Sequence, residues 1–294
     1  MEIVVPKGVP RTRLEDFLLA RFTGLSKMYI RDVIRSEKCE VNGRFENKGF
    51  RVRADDLIEI VIDPTRENAM RPQKIALDII YEDAHLIAIN KASGMLVHPT
   101  HRERSGTMLN AVTYHVNQNR DGGAFIRPGL IHRLDKETSG VVVLAKSDAV
   151  HRKIAAQFMK RTVEKKYLAL VEGTVKEDAG SIEAPIGRYA ETKFWDVKED
   201  GKPARTEFRV LERSGDTTLL ELEPFTGRTN QLRIHCEHIG HPIVGDIKRG
   251  GREFERLCLH AWKLSFRHPH TRETITFEAE NSFAQHLQTT KING

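Results

Sequence analysis

The chain has few cysteines and no long apolar run, and both absences exclude classes of protein. Its 294 residues include 3 cysteines, Cys39, Cys236 and Cys258, which lie far apart and form no Cys-x-x-Cys pair. This spacing argues against a disulfide framework and fits a reduced cytosolic environment. No run of about 18 apolar residues occurs, so no membrane span is predicted. The opening residues, MEIVVPKGVPRTR, lack the apolar core of a secretory signal.

The composition favours a folded protein with a polyanionic partner. Apolar residues make up 39% of the 294 residues, enough for a sizeable core in two domains or one large domain. The formal net charge is +6 at pH 7, and the pI is about 9.2. A basic balance of this kind suits nucleic acid, although many basic proteins bind none.

Residues 1–63 have the pattern of a small separate unit. Thr12 and Glu15 have the spacing of a capping box, and apolar residues follow at helical intervals. Ser26 is a favourable N-cap for a second helix. That helix would carry three cations on one face, at i, i+4 and i+8: Lys27, Arg31 and Arg35.

The same region is basic. From Arg11 to Arg53 there are 11 Lys or Arg and 6 Asp or Glu. A cationic stripe is commonly no more than a solvated helix face, and that interpretation stays open here. Residues 64–74 are polar, contain two prolines and lack an apolar period, so they are predicted to form a linker. The remainder, residues 75–294, reads as one α+β domain. Within it, Ser147 is a favourable N-cap for a helix, and residues 192–202 are charged and irregular and are expected to form an exposed loop.

The most informative stretch is residues 131–145, IHRLDKETSGVVVLA. It begins with charged side chains, turns through Thr-Ser-Gly and ends in an apolar run that is typical of a buried strand. Asp135 is therefore placed on a tight loop supported by a rigid sheet, as reactive side chains require. From the residues alone, Asp135 is a candidate acid, base or nucleophile, or else a loop carboxylate paired with Arg133 or Lys136.

Residues 132–140 read His-Arg-Leu-Asp-x-x-Thr-Ser-Gly, and this motif resembles the signature of the RluA/RluD-type pseudouridine synthases at every position. The resemblance covers most of residues 11–280. It implies an α+β fold with a mixed, mostly antiparallel curved sheet and flanking helices. It also implies isomerisation of uridine to pseudouridine in structured RNA, foremost large-subunit ribosomal RNA. The reaction gains and loses no atom, so no cofactor is expected, and Asp135 would be the catalytic carboxylate in a basic cleft.

The resemblance also implies roles for Tyr167 and Arg233. Tyr167 matches the tyrosine beside the flipped base, and Arg233 matches the arginine that pairs with the catalytic carboxylate. A neighbouring guanidinium would hold that carboxylate ionised, lowering its pKa by roughly 1–3 units, and would fix its orientation. From the residues alone, Tyr167 could instead be a core strand tyrosine, and Arg233 an exposed helix arginine.

Five further residues are predicted to contact the substrate. Arg133 would fill the gap left by the flipped base, Leu134 would pack inward, and Leu259 would form an apolar wall near the base. Arg228 would contact substrate or phosphate near a helix N-terminus. Asn230 stands where the family usually has His; it can form hydrogen bonds but cannot titrate near neutral pH.

The front unit resembles a second family. Helix, turn, basic helix and the sequence CEVNG resemble the RNA-binding domain first seen in ribosomal small-subunit protein S-four. The resemblance implies that residues 1–63 dock on structured RNA through phosphates and shape. We expect a cytoplasmic monomer whose partner is RNA, either ribosomal RNA or a pre-ribosomal particle, and no membrane.

Three alternatives remain at this point. The chain could be a transfer RNA pseudouridine synthase, or a non-enzymatic RNA-binding assembly factor. It could also be a metal-dependent nuclease or phosphoesterase that uses a cluster of potential ligands: His235, Cys236, His238 and His241. No carboxylate pair or Cys-x-x-Cys motif completes that ligand set, so no metal site is predicted.

Overall fold

The computed structural model describes residues 1–63, 71–100, 102–119, 125–280 and 283. Contacts divide the chain into two compact units. Unit 1 comprises Met1–Ala76 and His98–Arg127, and unit 2 comprises Leu77–Val97 and Pro128–Gly294. Residues 98–127 therefore group with the front of the chain, whereas the sequence placed them in the second domain. Most of the predicted linker, residues 64–70, lies outside the described residues.

Unit 1 combines short helices with small antiparallel sheets. The helices are α1 (Leu14–Arg21), α2 (Lys27–Arg35) and α3 (Met108–His115), and the strands are β1 (Glu2–Val4), β2 (Thr12–Arg13), β3 (Cys39–Val41), β4 (Arg44–Phe45), β5 (Arg51–Val52) and β6 (Leu57–Ile60). One sheet has the order β1-β6-β3-β4, and β2 pairs with β5. Apolar residues of α1 and α2, such as Leu18 and Ile30, share a core with Ile58 of β6.

The predicted side-chain cap is present on α2 and absent from α1. The Ser26 hydroxyl accepts the Tyr29 N–H at 3.2 Å, as predicted for α2. The capping box at Thr12 is wrong, because α1 begins only at Leu14 and has no side-chain cap. Thr12 instead pairs with Val52 in the β2–β5 ladder, so a contact distant in sequence overrides the local signal.

The three predicted RNA-binding cations all contact carboxylates. Arg31 Nε lies 2.8 Å from a Glu15 oxygen, and Lys27 Nζ lies 3.4 Å from the same carboxylate. Arg35 pairs with Asp32 at 2.5 Å. Glu15 is buried at 5% exposure, so Lys27 and Arg31 compensate a carboxylate that would otherwise be costly to bury.

The described end of the predicted linker is held by hydrogen bonds within unit 1. The Gln73 N–H donates to the Asn110 carbonyl at 3.1 Å, and the Gln73 side-chain oxygen accepts the Gly106 N–H at 2.6 Å. Asn110 in turn donates to the Arg71 carbonyl at 2.8 Å. Residues 71–73 are thus fixed against the segment that carries α3.

Unit 2 is built on one large sheet. Its helices are α4 (Asp148–Met159) and α5 (Gln231–His238), with a short 3-10 helix at Ile247–Arg249; its strands are β7 (Ile79–Glu82), β8 (Leu86–Lys91), β9 (Gly129–Leu130), β10 (Ser139–Ala145), β11 (Glu164–Glu172), β12 (Ala179–Glu183), β13 (Ile186–Arg188), β14 (Trp195–Val197), β15 (Arg205–Ser214), β16 (Thr217–Pro224), β17 (Leu259–Arg267) and β18 (Thr274–Glu278).

The large sheet has the order β12-β15-β16-β11-β17-β10-β8-β7, with β18 beside β17 and β9 beside β10. The β10–β17 pair is parallel, and the other ladders between described strands are antiparallel. The predicted α+β class with a mixed, mostly antiparallel sheet is confirmed. In the described ranges, no helix has the length and apolarity needed to cross a membrane.

Most predicted elements of unit 2 are present, and one prediction is wrong. The buried run that follows the central motif forms β10, whose seven residues are all buried. Ser147 caps α4 by accepting the Val150 N–H at 3.3 Å. Residues 192–202 were predicted to be an irregular loop, but they include β14, which pairs with β13. Trp195 of β14 packs against buried Ile186 and Ile234, a contact that the charged sequence around it concealed.

Candidate active site

His132 anchors the N-terminal side of the loop that carries Asp135. Its Nε2 atom accepts the backbone N–H of Val143 at 3.1 Å, and its ring stacks on Phe158 with centroids 5.1 Å apart. Burial lowers the pKa of His132 to about 4, and the charge of Lys165 acts in the same direction. His132 is therefore neutral at pH 7 and positions the loop rather than supplying charge.

Lys91, at the end of β8, anchors the other side of this loop. It is 1% exposed, and its ammonium donates to three backbone carbonyls: Ala92 at 2.8 Å, Met95 at 2.8 Å and Lys136 at 3.0 Å. Burial lowers the pKa of Lys91 to about 8. The role of Lys91 was not predicted from the sequence, although a lysine at the end of a buried strand and before a glycine loop was a usable signal.

Gly140 fixes where the loop enters the sheet. Its φ is +113°, and a Cβ atom built there would lie 2.2 Å from the Ala261 carbonyl oxygen. This close approach occurs where β10 runs parallel to β17, with Gly140 opposite Ala261. A side chain at position 140 would therefore push the strands apart and displace the loop that precedes them.

Tyr167 reaches the site from β11. It pairs with Leu222 of β16, while the β11–β17 register shifts between Lys166 and Leu168. An irregularity of this kind re-aims the side chain at that point of the strand. Burial raises the pKa of Tyr167 well above its usual value, and the negative charge of Asp135 adds to the shift. The Tyr167 hydroxyl is therefore protonated at neutral pH.

Arg233, on α5, is held by a buried aspartate. Its Nε and Nη2 atoms donate to the two carboxylate oxygens of Asp246, at 2.6 and 2.7 Å. Burial pulls the pKa of Arg233 down, but Asp246, with a smaller contribution from Asp135, raises it overall. The predicted forked pair between Arg233 and Asp135 is thus not formed in this structure, because Asp246 occupies the fork.

Asn230 sits at the start of α5 in the left-handed region, with φ of +54°. Asn is one of the few residues that adopt this conformation readily, which gives a backbone reason for Asn here. Its side-chain oxygen accepts a long hydrogen bond from Arg233 at 3.4 Å. Next to it, Gln231 fixes the turn by accepting the Arg228 N–H at 3.0 Å.

A cavity of about 450 Å³ brings the predicted site together. All eight residues predicted to act on or contact the substrate line it: Arg133, Leu134, Asp135, Tyr167, Arg228, Asn230, Arg233 and Leu259. Leu134 is buried, as predicted. Ten further residues that were not predicted as substrate contacts line the cavity, among them Lys165, Phe158 and His132. The volume is within the range of small-ligand sites.

Asp135 is the single carboxylate among the residues that line this cavity. Four cations line it as well: Arg133, Lys165, Arg228 and Arg233. Within the described part of the chain, no side chain forms a hydrogen bond or ion pair with the Asp135 carboxylate. A larger cavity of about 640 Å³, lined by Lys153, His268 and Arg272, contains none of the predicted site residues.

Two of the histidines at and near α5, His235 and His241, have hydrogen-bond partners in the protein. Both ring nitrogens of His235 are within hydrogen-bond distance of protein oxygens, Thr206 Oγ1 at 2.9 Å and the Ala184 carbonyl at 3.1 Å. His241 Nδ1 lies 2.7 Å from the Glu172 carbonyl. No group of three or more His, Cys, Asp or Glu side chains suited to a metal ion occurs among the described residues.

Known proteins are similar to this chain in sequence. A profile of the RNA pseudouridylate synthase family matches residues 85–238. The Bacillus subtilis (strain 168) protein named uncharacterized RNA pseudouridine synthase YlyB is 35% identical over 100% of this chain and 99% of its own length. Ribosomal large subunit pseudouridine synthase D of Nitrosomonas europaea is 35% identical, over 95% of this chain and 84% of its own.

A solved structure agrees with the sequence relatives. The structure of human RNA pseudouridylate synthase domain containing 1 superposes with a TM-score of 0.61 at 30% identity, covering 73% of this chain and 87% of that one. The sheet and cavity of unit 2 thus define an RNA-modifying isomerase. The chain belongs to the RNA pseudouridylate synthase family and is of the RluA/RluD type.

Proposed function

We propose that this protein converts a uridine of large-subunit ribosomal RNA to pseudouridine, with Asp135 as the catalytic carboxylate. Relatives named ribosomal large subunit pseudouridine synthase D, which are 34–37% identical to this chain, motivate the choice of RNA. The observation that carries the catalytic assignment is the Asp135 carboxylate, which has no protein partner in the described part of the chain and lies among four cations.

The chemistry requires one carboxylate at the anomeric carbon of a flipped uridine. The bond between C1′ and N1 breaks, the base turns, a bond forms between C1′ and C5, and the proton on C5 is lost while N1 gains one. Asp135 either attacks C1′ or removes the neighbouring ribose proton. The uridine must leave its stack, since a base within a helix is out of reach. No cofactor enters this balance.

The other cavity residues have supporting roles in this proposal. The Tyr167 ring lies beside the base, and because its pKa is raised it acts as a neutral phenol. Arg233 supplies positive charge near Asp135 while Asp246 holds its fork. Arg133 fills the gap left by the flipped base. Leu134 and Leu259 form apolar walls, and Arg228 and Asn230 contact the substrate. These four complete the set of eight predicted residues that line the cavity.

We propose further that residues 1–63 form an S-four-type RNA-binding domain, joined by residues 64–74 to a catalytic domain at residues 75–294. The excess of Lys and Arg over Asp and Glu between Arg11 and Arg53, 11 against 6, supports this. Arg35 is the most exposed of the three cations on α2, with 80% of its side chain accessible. The protein would act as a cytoplasmic monomer on ribosomal RNA or a pre-ribosomal particle.

The experiment is a map of pseudouridines in total RNA from cells with and without this protein. We expect one or a few sites in large-subunit ribosomal RNA to disappear without it, and to return with the wild type but not with Asp135→Asn. Loss of sites only in transfer RNA would overturn the choice of RNA. Restoration by Asp135→Asn would overturn the catalytic assignment.

A further inference from the structure

A second cavity of about 320 Å³ adjoins the catalytic cavity in unit 2. The two cavities share six lining residues: Phe158, Lys165, Pro224, Thr226, Gly227 and Arg228. The second cavity is completed by Arg161, Val163, Glu223 and Phe225, and we call it the flanking groove. A nucleotide next to one whose sugar lies at Asp135 is therefore within reach of the flanking groove.

The flanking groove carries an excess of positive charge. In the part of the chain that the structure describes, neither Lys165 nor Arg161 has an ion pair or side-chain hydrogen bond. Burial lowers the pKa of Lys165, Glu223 opposes this shift, and Arg161 adds to it. Three cations against one carboxylate line the groove. An anion between Lys165 and Arg161 would relieve the repulsion between them.

The groove also presents an aromatic ring. Phe225 lines the groove and is 39% exposed, so its ring is accessible to a ligand. Its position is fixed, because its backbone N–H donates to the Arg205 carbonyl at 3.0 Å. The Arg205 guanidinium covers the ring, 4.9 Å from its centroid. Aromatic rings beside unpaired cations are the usual elements of single-stranded nucleic-acid sites.

We infer that the flanking groove binds the nucleotide next to the flipped uridine, with its phosphate between Lys165 and Arg161 and its base stacked on Phe225. The inference rests on the proposed function and specifies more of the substrate. It requires that the neighbour of the target also leaves the helical stack. It predicts that the enzyme reads a short single-stranded step rather than one extruded base.

The test uses an intact RNA hairpin that contains the mapped target uridine. It also uses two abasic hairpins, in which the nucleotide on the 5′ side or on the 3′ side of that uridine lacks its base. Phe225→Ala should raise KM about tenfold on the intact hairpin and leave kcat unchanged. The wild type should lose about the same factor on one of the abasic hairpins. Phe225→Ala should show no further loss on that hairpin.

Phe194→Ala is the matched control. Phe194 has the same exposure, 39%, and also lies under an arginine, with the Arg249 guanidinium 4.7 Å from its centroid. It does not line the flanking groove, so the substitution should leave KM on all of these hairpins unchanged. Equal effects of the Phe225 and Phe194 substitutions would overturn the inference.

The phosphate contact is tested separately with Arg161→Gln. Losing one contact to a single-stranded phosphate should reduce the slope of log affinity against log salt by about 0.7. A hairpin with a neutral methylphosphonate at that position should show the same reduction for the wild type, and no further change for Arg161→Gln. The control is Arg152→Gln, since Arg152 is an exposed arginine on α4 outside the groove.

The outcomes separate the two proposals. If the wild type does not modify the intact hairpin, the proposed function fails, and the inference fails with it. If the wild type modifies all of these hairpins with equal KM, the function stands and the flanking groove does not bind the neighbouring base. Full additivity between Phe225→Ala and the abasic substitution would also overturn it, because the base would then lie elsewhere.

Discussion

The cationic helix of unit 1 and the catalytic cavity of unit 2 use positive charge differently. On α2, Lys27 and Arg31 contact Glu15, and Arg35 contacts Asp32. In the catalytic cavity, Lys165 is half-buried and has no ion pair with a described residue. A row of cations predicted on a helix face is therefore not the same as positive charge that is free to bind a partner. Charge that a polyanion can use lies where the protein leaves it uncompensated.

The largest expected effect concerns the carboxylate at the centre of this contrast. Asp135→Asn should reduce the release of tritium from RNA labelled at uridine C5 by about 10²–10⁴-fold. The matched control is Glu137→Gln, which removes an exposed carboxylate two residues away while leaving its backbone contact with Ser93 intact. A comparable loss in the control would mean that local charge, rather than one reactive group, governs the rate.

Gly140→Ala should have the next largest effect, here on stability. The positive φ of Gly140 would strain an alanine, and its added Cβ atom would lie only 2.2 Å from the Ala261 carbonyl oxygen. Strain and overpacking together should lower the free energy of unfolding by about 4 kcal/mol. In unit 1, a Cβ atom at Gly24 would meet nothing within 4 Å, and Gly24→Ala should change stability by less than about 0.5 kcal/mol. Urea unfolding measures both variants, and similar values would contradict the predicted contrast.

Two buried carboxylates that pair with arginines, Asp246 and Glu15, should differ in how much they contribute to the free energy of unfolding. Asp246→Asn leaves the largely buried charge of Arg233, whose side chain is 16% exposed, without its partner. We expect a loss of about 3 kcal/mol in unfolding free energy. Glu15→Gln should cost only about 1 kcal/mol, because water reaches the Arg31 side chain, which is 45% exposed. A larger loss for Glu15→Gln would reverse this ranking.

Acid should destabilise the protein through His132. Its folded pKa of about 4 lies below the ordinary value of 6.5, so the unfolded chain binds a proton more readily between these values. Stability should therefore fall by about 2 kcal/mol as the pH drops from 6.5 to 4. His132→Asn should remove this part of the slope and retain the part from His260, whose pKa is also about 4 because of burial. An unchanged slope would contradict the assignment to His132.

The smallest expected effects are those of the cations on α2. Arg35→Gln should weaken binding of the target hairpin about threefold and lower the salt dependence, because Arg35 is the most exposed of the three. Arg31→Gln should weaken it less, since its guanidinium is engaged by Glu15. Filter binding at two salt concentrations measures this difference. A stronger effect of Arg31 would show that RNA displaces Glu15.

The sequence predicted local features well. The apolar run after Gly140 became β10, and Ser26 and Ser147 cap the helices that follow them. These signals depend on neighbours in the chain. All eight residues predicted to act on or contact the substrate line the catalytic cavity. They were found because long motifs match a known family, while the individual roles of those residues remain predictions.

The features that sequence did not predict depend on distant partners. Thr12 pairs with Val52 rather than capping α1. The fork of Arg233 goes to Asp246, 13 residues away, rather than to Asp135. Whether an arginine pairs with one carboxylate or another depends on distances that the whole fold sets. Neither helix periodicity nor motif spacing predicts those distances.

The buried ammonium of Lys91 has a consequence for how this enzyme tolerates change. One nitrogen atom links the loop after β8 to the turn after Asp135, two stretches that are 45 residues apart. Each must present its carbonyl within about 3 Å of that nitrogen. Insertions or deletions in either loop would move these carbonyls away from the Lys91 nitrogen and break the hydrogen bonds. Variation in length should therefore concentrate in other surface segments of unit 2.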